Sequence, residues 1–584
     1  MRAPTRKAAA RGLAFSASPV LAVQLPVWRS RFALFLLFAA FAAIAVRAFW
    51  LQAVSTNFLK KKGEVNYAHN EELPAVRGKI IDRNGEVMAS SLPAKAIAVT
   101  REDFKPSDEQ LRRLAQLMDM STQDIKKKLE SGRNFVYLKR QVDEKVAEQI
   151  VALDIPGIQT RNEYKRFYPV GHVAAHVLGF TNVEDKGQEG IERAEQKSLG
   201  GVTGSRRVIK DRLGRIVEDV GYIREPKDGR DLTLSIDGKI QYIAFTELQK
   251  AVEQNHAKAG GIVVLDVKTG EVLAMANMPT YNPNVRQGLT GAQLRNRAMT
   301  DIYEPGSTMK PFTVALALEK GMVTPNTMLD TPGKLTIGPA TIGDSHPHAG
   351  SLSVTQIIQQ SSNVGTVRMA LRCEPREMWD MFTSVGFGQV PRTGFPGEVA
   401  GRLRPYKSWR PIEQATMSYG LGISASLIQV AHAYMIFARN GEMIPLSFQK
   451  ITQPPLTQRV ISPRTAQQMR EMMEKVVGPG GTGPLAQVRG YRVAGKTGTA
   501  HKLEGGRYVN KYVASFVGFA PVSDPRIIIA VMLDEPSAGK HFGGQVAAPV
   551  FSNVAANALR AMNVAPDASV DNVIIPPQMV TESM

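Results

Sequence analysis

The amino-acid sequence predicts an α/β (α+β) protein that follows a single N-terminal membrane helix. Three observations carry the expectation: an apolar run near the N-terminus, strand-like alternation at both ends of the C-terminal half, and helical patterning between those strands. The chain has 584 residues, more than one typical domain needs, so two or three domains are expected.

The apolar run is uninterrupted from Phe32 to Val46. With Arg47 included, Phe32 to Leu51 gives 20 residues, about the length that spans a bilayer. Arg47 lies near one end, where its side chain can snorkel to the interface, and Trp50 suits the same zone. A cleaved signal peptide has a shorter apolar region and a small-residue cleavage site, and a buried core helix would not explain the flanking charge. Residues 1–31 carry Arg2, Arg6, Lys7, Arg11, Arg29 and Arg31 and no acid. Positive-inside logic places them in the cytoplasm and everything after about residue 53 outside. One uncleaved anchor, residues 32–52, is expected.

Residues 53–228 alternate between strand-like and charged helical pieces, a mixed α/β domain. Arg77 to Gly85 reads as a strand entering an Asn-Gly turn, and 107–153 reads as charged helix. Glu225 to Arg230 is a linker-like break, so a second domain is expected at 229–563. There Asp231–Asp237 alternates as a strand, and a helix follows to about residue 255. Gly261–Val267 and Glu271–Met275 read as a β-hairpin, Lys511–Ala520 and Arg526–Leu533 as a second strand pair. The sheet is therefore assembled from distant segments. Residues 564–584 read as a loose tail.

A formal charge of +19 suits nucleic acid, an anionic membrane surface or an anionic polymer. Six of those charges belong to the leader, and no RNP-like motif, zinc-finger spacing or basic heptad helix occurs, so nucleic acid is not expected. The single cysteine, Cys373, excludes an intrachain disulfide and reads as a small buried apolar residue.

Three motifs carry chemistry. In Ser307-Thr308-Met309-Lys310, Pro305-Gly306 stops the preceding segment and an apolar helix follows, so Ser307 sits at a helix N-terminus with Lys310 on the same face. A serine hydroxyl needs a nearby base to accept its proton, and a lysine desolvated beside another cation can serve. Ser361-Ser362-Asn363 lies between two helical stretches, so a hydroxyl and an amide can face one cleft. Lys496-Thr497-Gly498-Thr499 follows strand-like residues and belongs on an edge strand, where its glycine admits a substrate backbone.

Each motif has a decoy. Ser537-Ala538-Gly539-Lys540 lies in a Pro- and Gly-rich loop, Ser55-Thr56-Asn57 lies in a juxtamembrane linker, and Lys268-Thr269-Gly270 is a hairpin turn. Gly490 to Thr497 fits the Walker A pattern, but strand formers fill its interior and no helix follows to receive a phosphate. His172 and His176 have zinc-helix spacing without a third ligand or adjacent glutamate, and read as structural. Gly480-Gly481 reads as a plain loop.

The ordered set Ser307/Lys310, Ser361/Asn363 and Lys496-Thr497-Gly498 resembles the penicillin-binding protein and serine β-lactamase superfamily. Arg77-Gly78-x-Ile80-x-Asp82-Arg83-Asn84-Gly85, Arg166-x-Tyr168-Pro169, Gly187-x-Glu189-Gly190-x-Glu192 and Asp211-x-x-Gly214 resemble the pedestal of its class B members. No glycosyltransferase segment is legible ahead of them, unlike in the bifunctional class A proteins. Ser361-Ser362-Asn363 with Lys496-Thr497-Gly498-Thr499, Tyr419-Gly420-Leu421-Gly422-Ile423 and Gly543 to Phe551 resemble the septal enzymes rather than the elongation type.

The resemblance implies a transpeptidase domain with a central antiparallel sheet flanked by helices, and a serine D,D-transpeptidase that cross-links peptidoglycan stem peptides during division. It implies Ser307 as nucleophile, Lys310 as its base, and Ser361 with Lys496 as proton donor to the departing D-alanine. Asn363, Thr497, Gly498 and Thr499 would bind substrate, and the N–H groups of Ser307 and Thr499 would form the oxyanion hole. β-Lactams would acylate Ser307. No cofactor or metal is implied. The partners implied are donor and acceptor stem peptides, a polytopic septal glycosyltransferase and other divisome membrane proteins, at the bacterial inner membrane with the catalytic domain periplasmic. An elongation-type transpeptidase, a D,D-carboxypeptidase or β-lactamase-like hydrolase, and a non-enzymatic divisome scaffold are the alternatives on the same framework.

Overall fold

The apolar run forms helix α1 (Val27–Phe49), which begins five residues before Phe32 and so takes in Arg29 and Arg31. None of its side chains is buried, including Phe35, Phe38 and Phe41, so the helix has no protein core to pack against. It is long and apolar enough to cross a membrane, where every backbone group is satisfied within the helix. The computed structural model describes residues 26–54, 68–130, 134–210, 216–344 and 350–574. Most of the basic leader, Ser55-Thr56-Asn57 and Asp211-x-x-Gly214 lie outside the described residues.

The chain divides into two units, Met1–Glu72 with Ser205–Glu225, and Leu73–Gly204 with Pro226–Met584. The first contains α1 and most of a three-stranded sheet made by Ala68–Leu73, Gly204–Lys210 and Ile216–Arg224. Arg206 ties its strands through Glu71 at 2.7 Å and Asp219 at 2.9 Å.

In the second unit, β1 (Ile80–Ile81) turns through Asn84-Gly85 into β2 (Val87–Thr100), as the sequence predicts. The Asp82 carboxylate accepts the Asn84 and Glu86 N–H groups at 2.8 Å each, and Gly85 supplies φ +96°. The region 107–153 corrects the all-helical expectation. It holds α2 (Asp108–Leu117), α3 (Thr122–Leu129), β3 (Phe135–Val142) and α4 (Glu144–Val151). Leu138 and Val142 point with strand period into a core with Ile97, Val99, Leu114 and Ile150, and that burial outweighs the charged composition of β3. Both β3 and β4 (Ile158–Phe167) pair antiparallel with β2.

Beneath this sheet lies a buried ion cluster. Glu192 accepts from Arg77 Nε at 2.6 Å and Arg166 Nε at 2.7 Å, and Arg77 also donates to the Gln196 side-chain oxygen at 2.9 Å. Buried charges persist only when so paired.

β5 (Leu232–Thr233) pairs parallel with β1 and leads into α5 (Gly238–Gln254), whose first N–H groups are capped by Asp237. The main sheet follows from β6 (Ala259–Asp266), β7 (Val272–Met278), β8 (Ala494–Glu504), β9 (Arg507–Ala520) and β10 (Ile527–Asp534). Its order is β7-β6-β10-β9-β8, antiparallel throughout, so the early hairpin meets the late strands through the β6–β10 pairing. Every residue of β6 and β7 is buried. One face packs on α5 and on α9 (Ala548–Ala561) through Phe245, Leu248, Phe551 and Val554. The other packs on Leu427–Ala433 and on the turn Gly306–Met309, which leads into α6 (Lys310–Glu319).

The tail differs from expectation as far as it is described. Asp567 accepts the Arg492 N–H at 2.7 Å and the Ser523 hydroxyl at 2.9 Å, while the Asn572 amide donates to the Tyr491 carbonyl at 2.9 Å. These side chains satisfy backbone groups of an irregular segment that has no strand partner, and so fix the chain through residue 574.

Candidate active site

The segment that carries Ser307 is held by its neighbours' backbones. Gly306 has φ +58°, a left-handed value at which its N–H reaches the Gly420 carbonyl at 3.2 Å. Gly306–Met309 then form one 3₁₀ turn that continues into α6, with Pro311 tolerated in the first turn. Below, Phe312 meets Phe387 and Tyr434 edge to face at 5.5 and 5.6 Å, and the Tyr434 hydroxyl donates to the Thr308 carbonyl at 2.9 Å. Ser307 is thus almost wholly buried on a rigid base.

Ser361 ends α7 (Val354–Gln360) in the left-handed conformation, φ 62° and ψ 41°. That conformation costs a non-glycine residue about 1 kcal/mol, and it turns the chain sharply into α8 (Asn363–Ala370). The turn presents Ser361 to two lysines. Lys310 Nζ donates to Ser361 Oγ at 3.0 Å and also to its carbonyl, and Lys496 Nζ donates to the same Oγ at 2.9 Å. All three residues are fully buried. A hydroxyl has two lone pairs and one proton, so with a lysine on each lone pair the Ser361 proton is directed toward a third group.

Lys496 stands on β8, the edge strand, as the motif's context predicts. Beyond it the Thr497 and Thr482 hydroxyls are 2.8 Å apart, and Thr499 Oγ1 accepts the Gly543 N–H at 3.0 Å. A side chain at Gly498 would meet the Pro305 carbonyl and the Thr308 methyl at 2.9 Å. The room left by that glycine therefore brings the nucleophile's own turn against β8. Asn363 opens α8, its N–H donating to Asp344 at 2.6 Å and its amide to the Gly343 carbonyl at 3.1 Å. The structure thus brings Ser307, Lys310, Ser361, Asn363 and Lys496 to Thr499 onto adjoining elements around one strand edge.

Sequence reasoning missed Thr482, Asp344 and Glu304, and marked Gly420 only as part of a septal-like motif, without its contact to Gly306. Thr482 belongs to the Gly480–Gly483 loop, whose glycines signalled only a turn. Asp344 caps α8 by accepting the Asn363 and Val364 N–H groups and the Ser362 hydroxyl, a tertiary contact with no local signature.

The decoys sit elsewhere. Lys268-Thr269-Gly270 is the β6–β7 turn, bound to Asp266, and Ser537–Lys540 is an irregular loop. In the Walker-like stretch Lys496 lies within a strand. His176 Nε2 is 2.8 Å from the Gln293 carbonyl, and burial pushes its imidazole down to about 4. Burial pushes the Cys373 thiol up to about 11. Among the described residues no three His, Cys, Asp or Glu side chains gather as a metal site would require.

Comparison with known proteins places this geometry. Residues 260–556 match the penicillin-binding protein transpeptidase domain, and residues 72–234 match the penicillin-binding protein dimerisation domain. The chain is 45% identical over 545 residues to "Probable peptidoglycan D,D-transpeptidase PenA" of Neisseria gonorrhoeae, covering 92% of this chain and 93% of that protein. It is 38% identical over 550 residues to peptidoglycan D,D-transpeptidase FtsI of Escherichia coli K12, covering 93% of each. The apo transpeptidase domain of Burkholderia pseudomallei penicillin-binding protein 3 superposes with TM-score 0.53 at 52% identity, covering 57% of this chain and 98% of that one. With both domains matched and near full-length relatives at this identity, the chain belongs to the class B penicillin-binding proteins, of the penicillin-binding protein 3 type.

Proposed function

We propose that this membrane-anchored peptidoglycan D,D-transpeptidase of cell division works by acyl transfer through Ser307. The observation that carries the reading is the convergence of Lys310 and Lys496 on Ser361 Oγ, at 3.0 and 2.9 Å, beside the Ser307 turn. Lys310 takes the proton as Ser307 Oγ attacks the carbonyl of the donor's penultimate D-alanine. The N–H groups of Ser307 and Thr499 receive the oxyanion, a contribution of about 3 kcal/mol per donor. As the intermediate collapses, the C–N bond to the terminal D-alanine breaks, and Ser361, with Lys496 behind it, passes a proton to the leaving amine. Asn363 holds the donor amide, and Thr497 and Thr499 hold its terminal carboxylate. An amine of a neighbouring stem, of diaminopimelate type, then attacks the acyl ester and regenerates Ser307. A β-lactam enters as a donor mimic and stops at the ester.

Residues 1–31 lie in the cytoplasm, 32–52 span the inner membrane, and the rest lies in the periplasm. Residues 53–228 serve as pedestal, 229–563 as transpeptidase domain and 564–584 as tail. The anchor and pedestal receive a polytopic septal glycosyltransferase and other divisome membrane proteins.

The test supplies a donor peptide ending in D-Ala-D-Ala with an excess of amine acceptor and follows both products by mass spectrometry. Cross-linked product with released D-alanine, lost in Ser307→Ala, is expected. Free acid alone, whatever the acceptor concentration, would make the protein a carboxypeptidase. Turnover that survives Ser307→Ala would reject the mechanism.

A further inference from the structure

Glu304, three residues before Ser307, is a largely buried carboxylate with no part in the mechanism above. Its Oε1 accepts the Gly422 N–H at 2.7 Å, and its Oε2 accepts the Tyr508 hydroxyl at 3.0 Å. Those partners belong to different segments. Gly422 lies in the strip 420–425 that runs beside the nucleophile's turn. There Tyr303 and Ala425 exchange backbone hydrogen bonds at 3.0 and 3.1 Å, and Gly306 N–H reaches Gly420. Tyr508 lies at the start of β9, just after the Gly505-Gly506 turn, opposite Leu503 of β8.

At its base that hairpin is tied by Lys502 to Asp534 and Glu535 at 2.7 Å each, and Glu304 anchors it nearer its tip. β9 pairs with β10 only from Val513 onward, and a bulge at His501/Lys502 breaks the β8–β9 register. Residues 502–512 are therefore a two-stranded ribbon projecting past the sheet, a form that is marginal without further packing. Thr499, at the other side of the bulge, lies against the nucleophile's turn, its carbonyl 3.4 Å from where a side chain on Gly306 would begin. The ribbon and the nucleophile's turn thus meet on the same strand, β8.

We propose that Glu304 is a positioning residue that latches the β8–β9 hairpin to the nucleophile's turn, and so sets the spacing of the Ser307 and Thr499 N–H groups across the oxyanion hole. The inference rests on the acyl-transfer reading of the site. Burial holds the Glu304 carboxyl above its ordinary range, against the opposing pull of the Gly422 and Tyr508 donors, which lowers it.

The test measures the benzylpenicillin acylation rate against drug concentration, with hydrogen exchange of the same proteins, for wild type, Glu304→Ala, Glu304→Gln and Tyr508→Phe. Tyr508→Phe is expected to lower the limiting acylation rate roughly tenfold, and Glu304→Ala roughly a hundredfold, because small misplacement of reacting groups is costly. The half-saturating concentration stays as in wild type. Exchange rises in residues 502–512 and not in α5. Glu304→Gln keeps an acceptor for the Gly422 N–H and can turn its amide N–H to the Tyr508 oxygen, and so restores most of the rate. Wild-type acylation kinetics in Tyr508→Phe and Glu304→Ala, or unchanged exchange in 502–512, would overturn the latch. Should Glu304→Ala fail to fold, Tyr508→Phe decides, since its ring is half exposed. Wild type that is not acylated at all would instead reject the acyl-transfer reading, and the exchange arm would still report on the latch.

Discussion

Ser361 is where the hydrogen bonds of two otherwise separate lysines meet, and its left-handed backbone is what puts it there. Ser361→Ala leaves two buried amines without their shared acceptor and removes the proton path to the leaving group. Acylation by benzylpenicillin should fall about 100-fold or more, with folding retained, and stopped-flow kinetics reads the loss directly. At this scale the sequence is informative where chemistry is local. Ser307 with Lys310, Ser361 with Asn363, and Lys496 to Thr499 are each one short motif, and their order separates them from the decoys. Thr482, Asp344 and Glu304 act on residues far along the chain, so no spacing announces them. The left-handed backbone of Ser361 has no sequence signal either, since glycine is the residue that normally marks such a position.

The elements explain why the nucleophile's turn stays in place. It is pressed between Gly420 and Gly498, and a methyl at Gly420 would stand 2.1 Å from the Gly306 carbonyl oxygen, at a φ of +89°. Gly420→Ala should therefore cost about 1–3 kcal/mol in urea unfolding and slow acylation, whereas alanine at the open turn residue Gly288 should leave the acylation rate unchanged. The β6–β7 and β9–β10 pairs of the main sheet are legible because short apolar, β-branched runs are bounded by turn residues. β3 is not, because Lys139, Arg140 and Gln141 mask the strand period of Leu138 and Val142. The C-terminal segment reads as loose because its anchors, Asp567 and Asn572, are polar residues whose partners lie in another part of the chain.

Across the whole molecule, two buried polar sites set the conditions under which the active site exists. Glu192 is the shared partner of Arg77 and Arg166. Glu192→Gln strands two buried guanidinium groups and should cost about 3–5 kcal/mol in denaturant unfolding. The acid limb of stability is set in part by His176, whose folded value of about 4 lies below its ordinary 6.5. Below pH 6.5 the unfolded chain takes up a proton that the fold refuses, so this contribution is present above 6.5 and is lost as pH falls toward 4. The loss amounts to about 3 kcal/mol. Asp185 has the opposite slope, since burial pushes its carboxyl up to about 6 and its contribution fades as pH rises from 3.8 through 6. His176→Gln can keep the bond to the Gln293 carbonyl and does not titrate. The difference between its stability curve and that of wild type should shrink between pH 6.5 and 4, and a parallel pair of curves would remove His176 from this role. None of this pH behaviour is visible in the sequence, because it depends on burial created by distant segments.

The most direct measurement is the intact mass of the purified protein after incubation with benzylpenicillin, wild type beside Ser307→Ala. One slowly released adduct on wild type, mapped to Ser307 and absent from the variant, is expected. Well-folded wild type without an adduct would remove Ser307 as nucleophile, and with it the acyl-transfer mechanism.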